Sequence, residues 1–517
     1  MSDDQTRPLG DPDPGAAPGG DVLAGHERER KHTPWWLIGG VAVVVAALVG
    51  GVTYGVQMLS GGGSQPEEAL PGGAFAFAKV DLDPSAGQKV DAVRFLRKFP
   101  TLREKVGEDA DLRKVLFESV AADAGWDDID YGSDVEPWLG KRLAVGAYPP
   151  EGKAGATGEF PGPRVVVALQ VEDADQARTG LKRLADSAEG GDPPGFVVEG
   201  DYALLAETED AARKAARDAE NGTLAEQDTL ASDLGGMDDG VAAVWVDNQA
   251  TTKALGGVGS MLGGPLGAGT GLGGSGRSTY VLRFDGPDVF EVVGSVTDAD
   301  AVTKDTAAVK GFAELPDGTV AALGLAEGQS LLPDLWESLR KSMDAAGASS
   351  GGPGFDEMVA QAEQELGIDL PDDLGVLLGS NLVAALGGDG LGSGELDLGA
   401  KVTTDGEKAM AILDRIEAAA NRLGADSGFD SSLVVRRTTE DGYVIGSSKG
   451  TLDRLEQPGK LGEDEAFGKA LPDLDRAGFA MWVDIAALAE AFTGDGEVDK
   501  DLEPLDGVGV TTDLEGD

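Results

Sequence analysis

The feature that most constrains this chain is an uncharged stretch of 25 residues, Trp35–Leu59, which reads WWLIGGVAVVVAALVGGVTYGVQML. A helix rises about 1.5 Å per residue, so this stretch would run roughly 37 Å as a helix. That length crosses a hydrocarbon core of about 30 Å with some tilt. We therefore predict one transmembrane helix over 35–59, which divides the chain between the two sides of a bilayer.

The charges that flank this stretch predict its orientation. Arg28, Arg30 and Lys31 precede it, whereas the first basic residue after it is Lys79. Because Lys and Arg concentrate on the cytoplasmic side of a span, we predict a cytoplasmic N-terminus and a large C-terminal part outside the cell membrane. The tail over 1–34 is rich in Asp, Pro and Gly, which predicts disorder.

A cleaved signal peptide is the main alternative to an uncleaved anchor. Its apolar core would be about 7–15 residues long and would be followed closely by small residues at the cleavage site. Here the apolar stretch is longer, and the A-F-A triplets at Ala74–Ala76 and Ala76–Ala78 fall in a run that is typical of a strand. These observations favour the anchor. A buried soluble helix fits less well, because Val and Gly are poor helix formers.

The charge balance excludes one class of partner. The chain has 92 acidic and 42 basic residues, a formal net charge of −50. Such a domain repels nucleic acid and anionic lipid surfaces, so we predict no nucleic-acid partner. With 41% hydrophobic residues it can still build a core, and the length after the span predicts two or three domains.

The distribution of histidine and cysteine excludes several chemistries. The chain has no cysteine, and its two histidines, His26 and His32, both precede the predicted span. The predicted outer part therefore lacks Ser-His-Asp and Cys-His nucleophile systems and His or Cys zinc sites. Carboxylate, Lys, Tyr or Ser/Lys chemistry stays open. We predict no catalytic, cofactor-binding or metal-binding residues, no cofactor, and no enzymatic activity.

The pattern after the span predicts an α+β fold. A Gly-rich and Ser-rich stretch over 60–69 predicts a flexible linker. Short apolar runs follow, such as FAFAKVD and RVVVALQV, and turn residues such as Gly200–Asp201 and Asp285–Gly286 join some of them into hairpins. Strands joined by short turns favour antiparallel sheets, against which the amphipathic segments pack as helices.

The chain also repeats itself. Five segments recur in the same order at offsets of 232 to 245 residues, which predicts two similar lobes over 70–298 and 315–517, joined by a connector over 299–314. The matches are LPGG at Leu70 with LPDG at Leu315, WLGKRL at Trp138 with LLGSNL at Leu377, the helices around Ala177 and Ala409, the hairpins containing Tyr202 and Tyr443, and VWVD at Val244 with MWVD at Met481. The first lobe has a pair of predicted strands after its VWVD segment. The second lobe has only the segment 507–517 after its MWVD. Either its last strand is missing from this sequence, or the first lobe completes its sheet.

Two motifs suggest chemistry but fit a structural interpretation better. Gly271–Ser278 resembles a phosphate loop with Arg277 in place of Lys, yet a strand rather than a helix follows it. The S-x-x-K at Ser338–Lys341 matches the nucleophile motif of penicillin-binding enzymes, but no S-D-N or K-T-G accompanies it. We predict a mobile loop and a helix surface.

Two further features have a functional and a structural interpretation. The acidic stretches Trp126–Glu136 and Gly494–Asp506 do not fit the ligand spacing of an EF-hand calcium loop, which favours solvated loops. Trp245 and Trp482 lie at matching places in the repeat. We predict that both belong to the core, with a paired ligand platform as the alternative.

The string LPGGAFAFAKVDLDPSAGQKVDAVRFLRKFP at 70–100, together with WLGKRLAVGAY at 138–148, resembles a family of single-span actinobacterial membrane proteins with a domain of unknown function, number 3352. The likeness extends over most of 70–517. The resemblance implies a location in the cell envelope and supplies no catalytic residues.

These observations predict a single-pass, membrane-anchored extracytoplasmic protein that binds or scaffolds in the cell envelope. Its expected partners are the lipid bilayer, through Trp35–Leu59, and an envelope protein or ligand. One alternative is an extracytoplasmic hydrolase that uses carboxylates or Ser/Lys. Another is a carrier that holds a lipid or hydrophobic ligand between the two lobes.

Overall fold

The computed structural model describes residues 64–81, 86–103, parts of 111–128, 129–151, 162–187, 193–237, 240–255, 276–298, 307–350, 354–388, 391, 396–424, 434–493, 500 and 502–512. The predicted tail over 1–34 and the predicted span over 35–59 lie outside these residues. Among the helices in the described part of the chain, none has both the length and the apolar character needed to cross a bilayer.

The first lobe is built on one sheet of eight strands. The strands are β1 (Ala76–Asp81), β2 (Leu139–Tyr148), β3 (Arg164–Val171), β4 (Gly195–Glu199), β5 (Tyr202–Ala206), β6 (Ala242–Asp247), β7 (Arg277–Asp285) and β8 (Val289–Thr297). The helices are α1 (Ala86–Leu96), α2 (Pro100–Arg103), α3 (Ala174–Ser187), α4 (Glu209–Ala219), α5 (Asp228–Gly235) and α6 (Asn248–Leu255). The strand order is β4-β5-β3-β2-β1-β6-β7-β8, and the neighbours are antiparallel.

The second lobe is built on a sheet of seven strands. The strands are β9 (Thr319–Ala326), β10 (Asn381–Gly387), β11 (Asp397–Thr403), β12 (Val435–Thr438), β13 (Gly442–Gly446), β14 (Phe479–Asp484) and β15 (Gly507–Thr512). The helices are α7 (Gly328–Ser350), α8 (Phe355–Leu366), α9 (Asp372–Leu378), α10 (Gly406–Gly424), α11 (Lys449–Leu455), α12 (Glu465–Ala470) and α13 (Ile485–Thr493). The order is β12-β13-β11-β10-β9-β14-β15, again antiparallel.

The second sheet repeats the strand order of the first. Each strand from β9 to β15 occupies the place of one from β1 to β7, and in the described residues β8 has no counterpart. The α+β class with two antiparallel sheets and packed helices is confirmed. The idea that the first lobe completes the second sheet is wrong, because all seven strands of that sheet come from 319–512.

The predicted match between the hairpins that contain Tyr202 and Tyr443 is confirmed, but the strand registers show that the two tyrosines themselves are not equivalent. Val402 pairs with Tyr443 in the second lobe, and the equivalent Leu169 pairs with Ala203 in the first. Tyr443 therefore corresponds to Ala203 rather than to Tyr202. Because successive side chains of a strand point to opposite faces, the two tyrosines lie on opposite sides of their sheets.

Each sheet has a Trp face, defined here as the side that carries Trp245 or Trp482. In the first lobe α4 and α5 pack on the Trp face, and in the second α11 and α12 do. The opposite face of the first sheet packs against α1 at one end and α3 at the other. In the second sheet α10 covers the end that corresponds to α3. Among the described residues this arrangement leaves part of the face opposite Trp482 open in the second lobe.

Candidate functional site

The chain enters the first lobe through an ordered segment, Ser64–Gly73, which we call the strap. The prediction of a flexible linker over 60–69 is wrong for Ser64–Ala69. Pro66–Glu68 form a single 3-10 turn with Pro66 buried, and Leu70 is fully buried in the main core. The Gly-rich and Ser-rich composition concealed this packing, which depends on contacts with residues far along the chain.

Three polar contacts hold the beginning of the strap. The carbonyl oxygen of Ser64 accepts hydrogen bonds from Arg142 Nη1 at 2.9 Å and from the Tyr202 hydroxyl at 2.8 Å. The Ser64 hydroxyl donates to Asp201 Oδ2 at 3.0 Å. Burial raises the pKa of Tyr202 above its usual value, so its phenol stays protonated and can donate. The strap is thereby fixed to β2 and β5.

Two buried ion pairs lie beneath the turn. Lys79 Nζ is 2.6 Å from Glu67 Oε1, and Arg142 Nε is 3.2 Å from Asp81 Oδ2. Lys79, Asp81 and Arg142, which we call the ionic seat, are only 4%, 3% and 6% exposed. The second carboxylate oxygen of Glu67 is buried and has no hydrogen-bond partner among the described residues. A void of about 10 Å³ beside the seat is about the size of one water molecule.

The end of the strap is held mainly through its backbone and an apolar anchor. The carbonyl of Leu70 accepts from the amide of Leu224 at 2.8 Å, and that of Pro71 accepts from the Tyr148 hydroxyl at 2.9 Å. The amide of Gly72 donates to the Gly222 carbonyl at 3.0 Å. Leu70 therefore fixes the strap by burial and by main-chain hydrogen bonds at once.

The second lobe has an equivalent strap, Val309–Gly318. Its Leu315 carbonyl accepts from the Leu461 amide at 3.1 Å, as Leu70 does from Leu224. The predicted connector over 299–314 therefore includes residues that belong to the second lobe. The ionic contacts of the first strap are absent at the matching positions: Val309 stands for Ser64, Phe312 for Glu67, Gly324 for Lys79, Ala326 for Asp81 and Asn381 for Arg142.

The two central tryptophans differ in the same way. In the first lobe Trp245 Nε1 donates to Asp233 Oδ2 at 2.8 Å, and Arg277 Nε lies 2.6 Å from the same oxygen. Burial raises the pKa of Asp233, but hydrogen bonds from Arg277 and Trp245 outweigh it, so the net pKa lies below its usual value. Trp482 is also buried, but its indole N–H has no acceptor among the described residues.

The matching positions explain this difference. Ala470 stands in the second lobe where the first has Asp233, and the strand register places Gly507 where the first has Arg277. Both tryptophans are core residues, as predicted, and each is buried in the core of its own lobe.

The structure also locates the weaker motifs. Arg277 begins β7 and pairs with Asp233 and Asp298, so its guanidinium is engaged, while 256–275 lie outside the described residues. Ser338 and Lys341 lie on α7, but their side chains are not among those described.

The acidic stretches give no metal site in the part of the chain that is described. No group of three or more His, Cys, Asp or Glu residues there could hold a metal ion. In the first stretch Asp130 Oδ1 accepts from the Ser133 amide at 2.9 Å, and Asp134 pairs with Arg183. These carboxylates cap a turn and bind a helix, while 494–499 of the second stretch lie outside the described residues.

The second lobe carries an open apolar face, the side of its sheet opposite Trp482. Leu323, Leu398 and Val508 on this face are 38%, 51% and 44% exposed. The registers place Met481 and Ala384 beside Leu323 on the same face. In the first lobe the central positions of the same face are buried: Ala78, Val145, Val244 and Tyr280 are 5%, 7%, 6% and 9% exposed.

The sequence pattern indicates the ionic seat and the open apolar face only in part. Lys79 and Asp81 interrupt the apolar run of β1, and their burial calls for opposite charges nearby. Nothing in the sequence pattern identifies Glu67 as the partner of Lys79. The open face has the same alternation of apolar residues as the covered one, so pattern alone does not distinguish them.

The chain is an α+β protein of two similar antiparallel sheets with packed helices. Residues 37–194 match the model of a family described as "Protein of unknown function (DUF3352)". The predicted resemblance to that domain is therefore confirmed over this range, which contains the strap, the ionic seat and β1 to β3. No curated protein and no solved structure matches the chain.

Proposed function

We propose that this chain is a membrane-anchored extracytoplasmic protein that binds an apolar surface of another envelope protein and acts as a scaffold. The observation that carries the binding role is the open apolar face of the second lobe. The anchor and its orientation rest on Trp35–Leu59 and on the basic residues before it. The ordered strap begins about five residues after this stretch, which supports a short connection between anchor and domain.

The open face supports a protein partner through its chemistry. Its strands β9, β10, β11 and β14 direct uncharged, mostly aliphatic side chains to this side, in a chain whose net charge is −50. Large exposed apolar patches on soluble domains mark interaction sites. The strong negative charge repels anionic lipid surfaces, so the face suits an apolar protein surface better than a bilayer.

Protease treatment of intact protoplasts tests the location. We expect the large domain to be degraded from outside while an N-terminal fragment, protected by the membrane, survives. A fully protected large domain would show that the orientation is reversed, and recovery of the protein free of the membrane would show that 35–59 is no anchor.

Site-specific crosslinking in the native envelope tests the binding role. Because the chain has no cysteine, Leu398→Cys introduces a unique thiol on the open face for a photo-activated crosslinker. Val292→Cys, on β8 of the first lobe and 47% exposed, is the matched control. We expect discrete adducts from Leu398→Cys only, and their loss when Leu323→Glu is added. Identical adducts from both cysteines, or adducts that persist with Leu323→Glu, would contradict the proposal.

The hydrolase and carrier alternatives stay predictions. A hydrolase requires Ser338 and Lys341, or a pair of carboxylates, to converge in one cleft. A carrier requires an apolar cavity between the lobes, whereas the groove of the first lobe that includes Asn221, Thr223 and Glu226 is polar.

A further inference from the structure

We propose that the first part of the strap, Ser64–Glu68, detaches reversibly from the ionic seat while Leu70 stays in place. The protein then has a docked state with a short tether and a released state with a longer one. The effect on distance from the membrane rests on the proposed anchor. The detachment itself does not depend on the anchor and can be tested separately.

The second lobe makes the same contact without charge. Phe312 is buried at the position of Glu67, and a Cβ atom on Gly324 would lie 2.8 Å from the Phe312 ring. Positions 67 and 79 thus touch in one lobe as 312 and 324 do in the other. The second lobe folds with an aromatic ring packed on a glycine at this contact. The fold therefore does not need an ion pair at this position for its stability.

Solvation by water favours release of the first strap over release of the second. Removing a buried ion pair to water restores the hydration of both charges, which offsets much of the lost Coulomb attraction. Release of the first strap would expose Ser64 and Glu67, which water solvates well, and would cost the apolar burial of Pro66 alone. Release of the second would expose Val309 and Phe312, at the cost of their apolar burial. The polar composition therefore makes detachment accessible only in the first lobe.

Leu70 is the fixed point of the movement. Leu70 and Leu315 are both buried, and each accepts the equivalent backbone hydrogen bond. Within the two straps the sequences match from this leucine onward, as LPGG in the first and LPDG in the second, and they differ in the residues before it. The hinge of the movement therefore lies at Ala69, and Leu70 keeps the chain attached to the core after release.

The released strap changes how far the domain can stand from the bilayer. An extended chain spans about 3.5 Å per residue, so from Leu59 it reaches about 17 Å to Ser64 and about 38 Å to Leu70. Release at Ser64–Glu68 therefore roughly doubles the reach of the tether. A docked strap keeps the first lobe close to the membrane, and a released one lets the second lobe reach a more distant partner.

Hydrogen exchange of the full chain in detergent micelles tests the detachment. The amides of Glu68 and Ala69 donate within the turn, whereas Gly72 donates to Gly222 beyond the hinge. Peptides that separate 64–69 from 71–76 therefore report the releasable and the fixed parts. We expect the first peptide to exchange at least tenfold faster than the second in the wild-type chain.

Two variants give the proposal its controls. Glu67→Phe with Lys79→Gly installs the pair found in the second lobe and should slow exchange of 64–69 to the rate of 71–76. Glu67→Gln, a minimal change, should accelerate exchange of 64–69 severalfold and leave 71–76 unchanged. Equal rates for both peptides in the wild-type chain, or no response to Glu67→Gln, would overturn the proposal. Either result would leave the protease test of the anchor unaffected.

Discussion

The clearest quantitative test of the core concerns the buried carboxylate beneath Trp245. Asp233→Ala removes the acceptor of the Trp245 N–H and one partner of Arg277. Removing one member of a buried ion pair costs about 3–5 kcal/mol, and an orphaned buried donor alone costs about 1–3 kcal/mol. Arg277 keeps its contact with Asp298 at the surface, so we expect the lower end, about 3 kcal/mol.

The assay has to distinguish the two lobes, because two cores can unfold separately. We propose hydrogen exchange of peptides that contain β6 and β14. A decrease of about 3 kcal/mol in the free energy of unfolding of the first lobe accelerates hydrogen exchange in β6 by about a hundredfold. The exchange rate of β14, in the second lobe, should not change. Ser232→Ala, on the exposed side of the same helix, is the matched control. An acceleration below about threefold, or an equal change in β14, would refute the reasoning.

The same carboxylate predicts a pH dependence with a defined sign. The folded-state pKa of Asp233 lies below its usual value, so its ionised form stabilises the first lobe above the unfolded pKa, which is about 3.9. That contribution is lost as the pH falls below about 4. Between pH 5 and pH 3, the stability of the first lobe, measured by hydrogen exchange of β6, should therefore fall more in the wild-type chain than in Asp233→Ala. Parallel losses in both chains would contradict this assignment.

Three further predictions follow from the comparison of the lobes. Trp482→Phe should lower the stability of the second lobe by about 1–2 kcal/mol less than Trp245→Phe lowers that of the first, because only the first lobe loses a hydrogen bond. Equal losses of stability in lobe-specific hydrogen exchange would argue against this. Gly324→Ala should destabilise the second lobe by about 1–3 kcal/mol through close contacts of its Cβ atom, whereas Gly235→Ala, in open space, should be neutral or slightly stabilising in urea unfolding. Burial raises the pKa of Tyr443 to about 12, so the second lobe should lose stability above about pH 10, and Tyr443→Phe should abolish that loss in alkaline unfolding.

The sequence predicted the elements whose signals are local. Alternating apolar residues with Asp285–Gly286 between them give the β7–β8 hairpin, because Gly286 has a positive φ of 69° in that turn. The hairpins that contain Tyr202 and Tyr443 do correspond, but the two tyrosines are offset by one residue. An identical side chain is weaker evidence of equivalence than strand pairing. A slip of one residue moves a side chain to the other face, which only strand pairing reveals.

The strap illustrates what a local pattern cannot predict. Its polar residues are typical of a linker, and the groups that hold Ser64 come from Arg142 and Tyr202, far along the chain. Those partners meet only after β2 and β5 have joined the sheet. The order of Ser64–Glu68 is therefore a tertiary property, which composition and periodicity do not encode.

The two lobes place charge and apolar surface in opposite ways, and this asymmetry favours a division of roles. Buried ionic contacts lie in the first lobe, beside the strap and beneath Trp245, where the second lobe has Phe312, Gly324 and Ala470. The open apolar face lies in the second lobe. Distant sites that share no partner contribute additively to stability. Leu323→Glu should therefore abolish crosslinking at the open face without changing exchange of the strap, whereas Glu67→Gln should change exchange of the strap without changing the crosslinked products. A change in both measurements from either substitution would mean that one surface serves both roles.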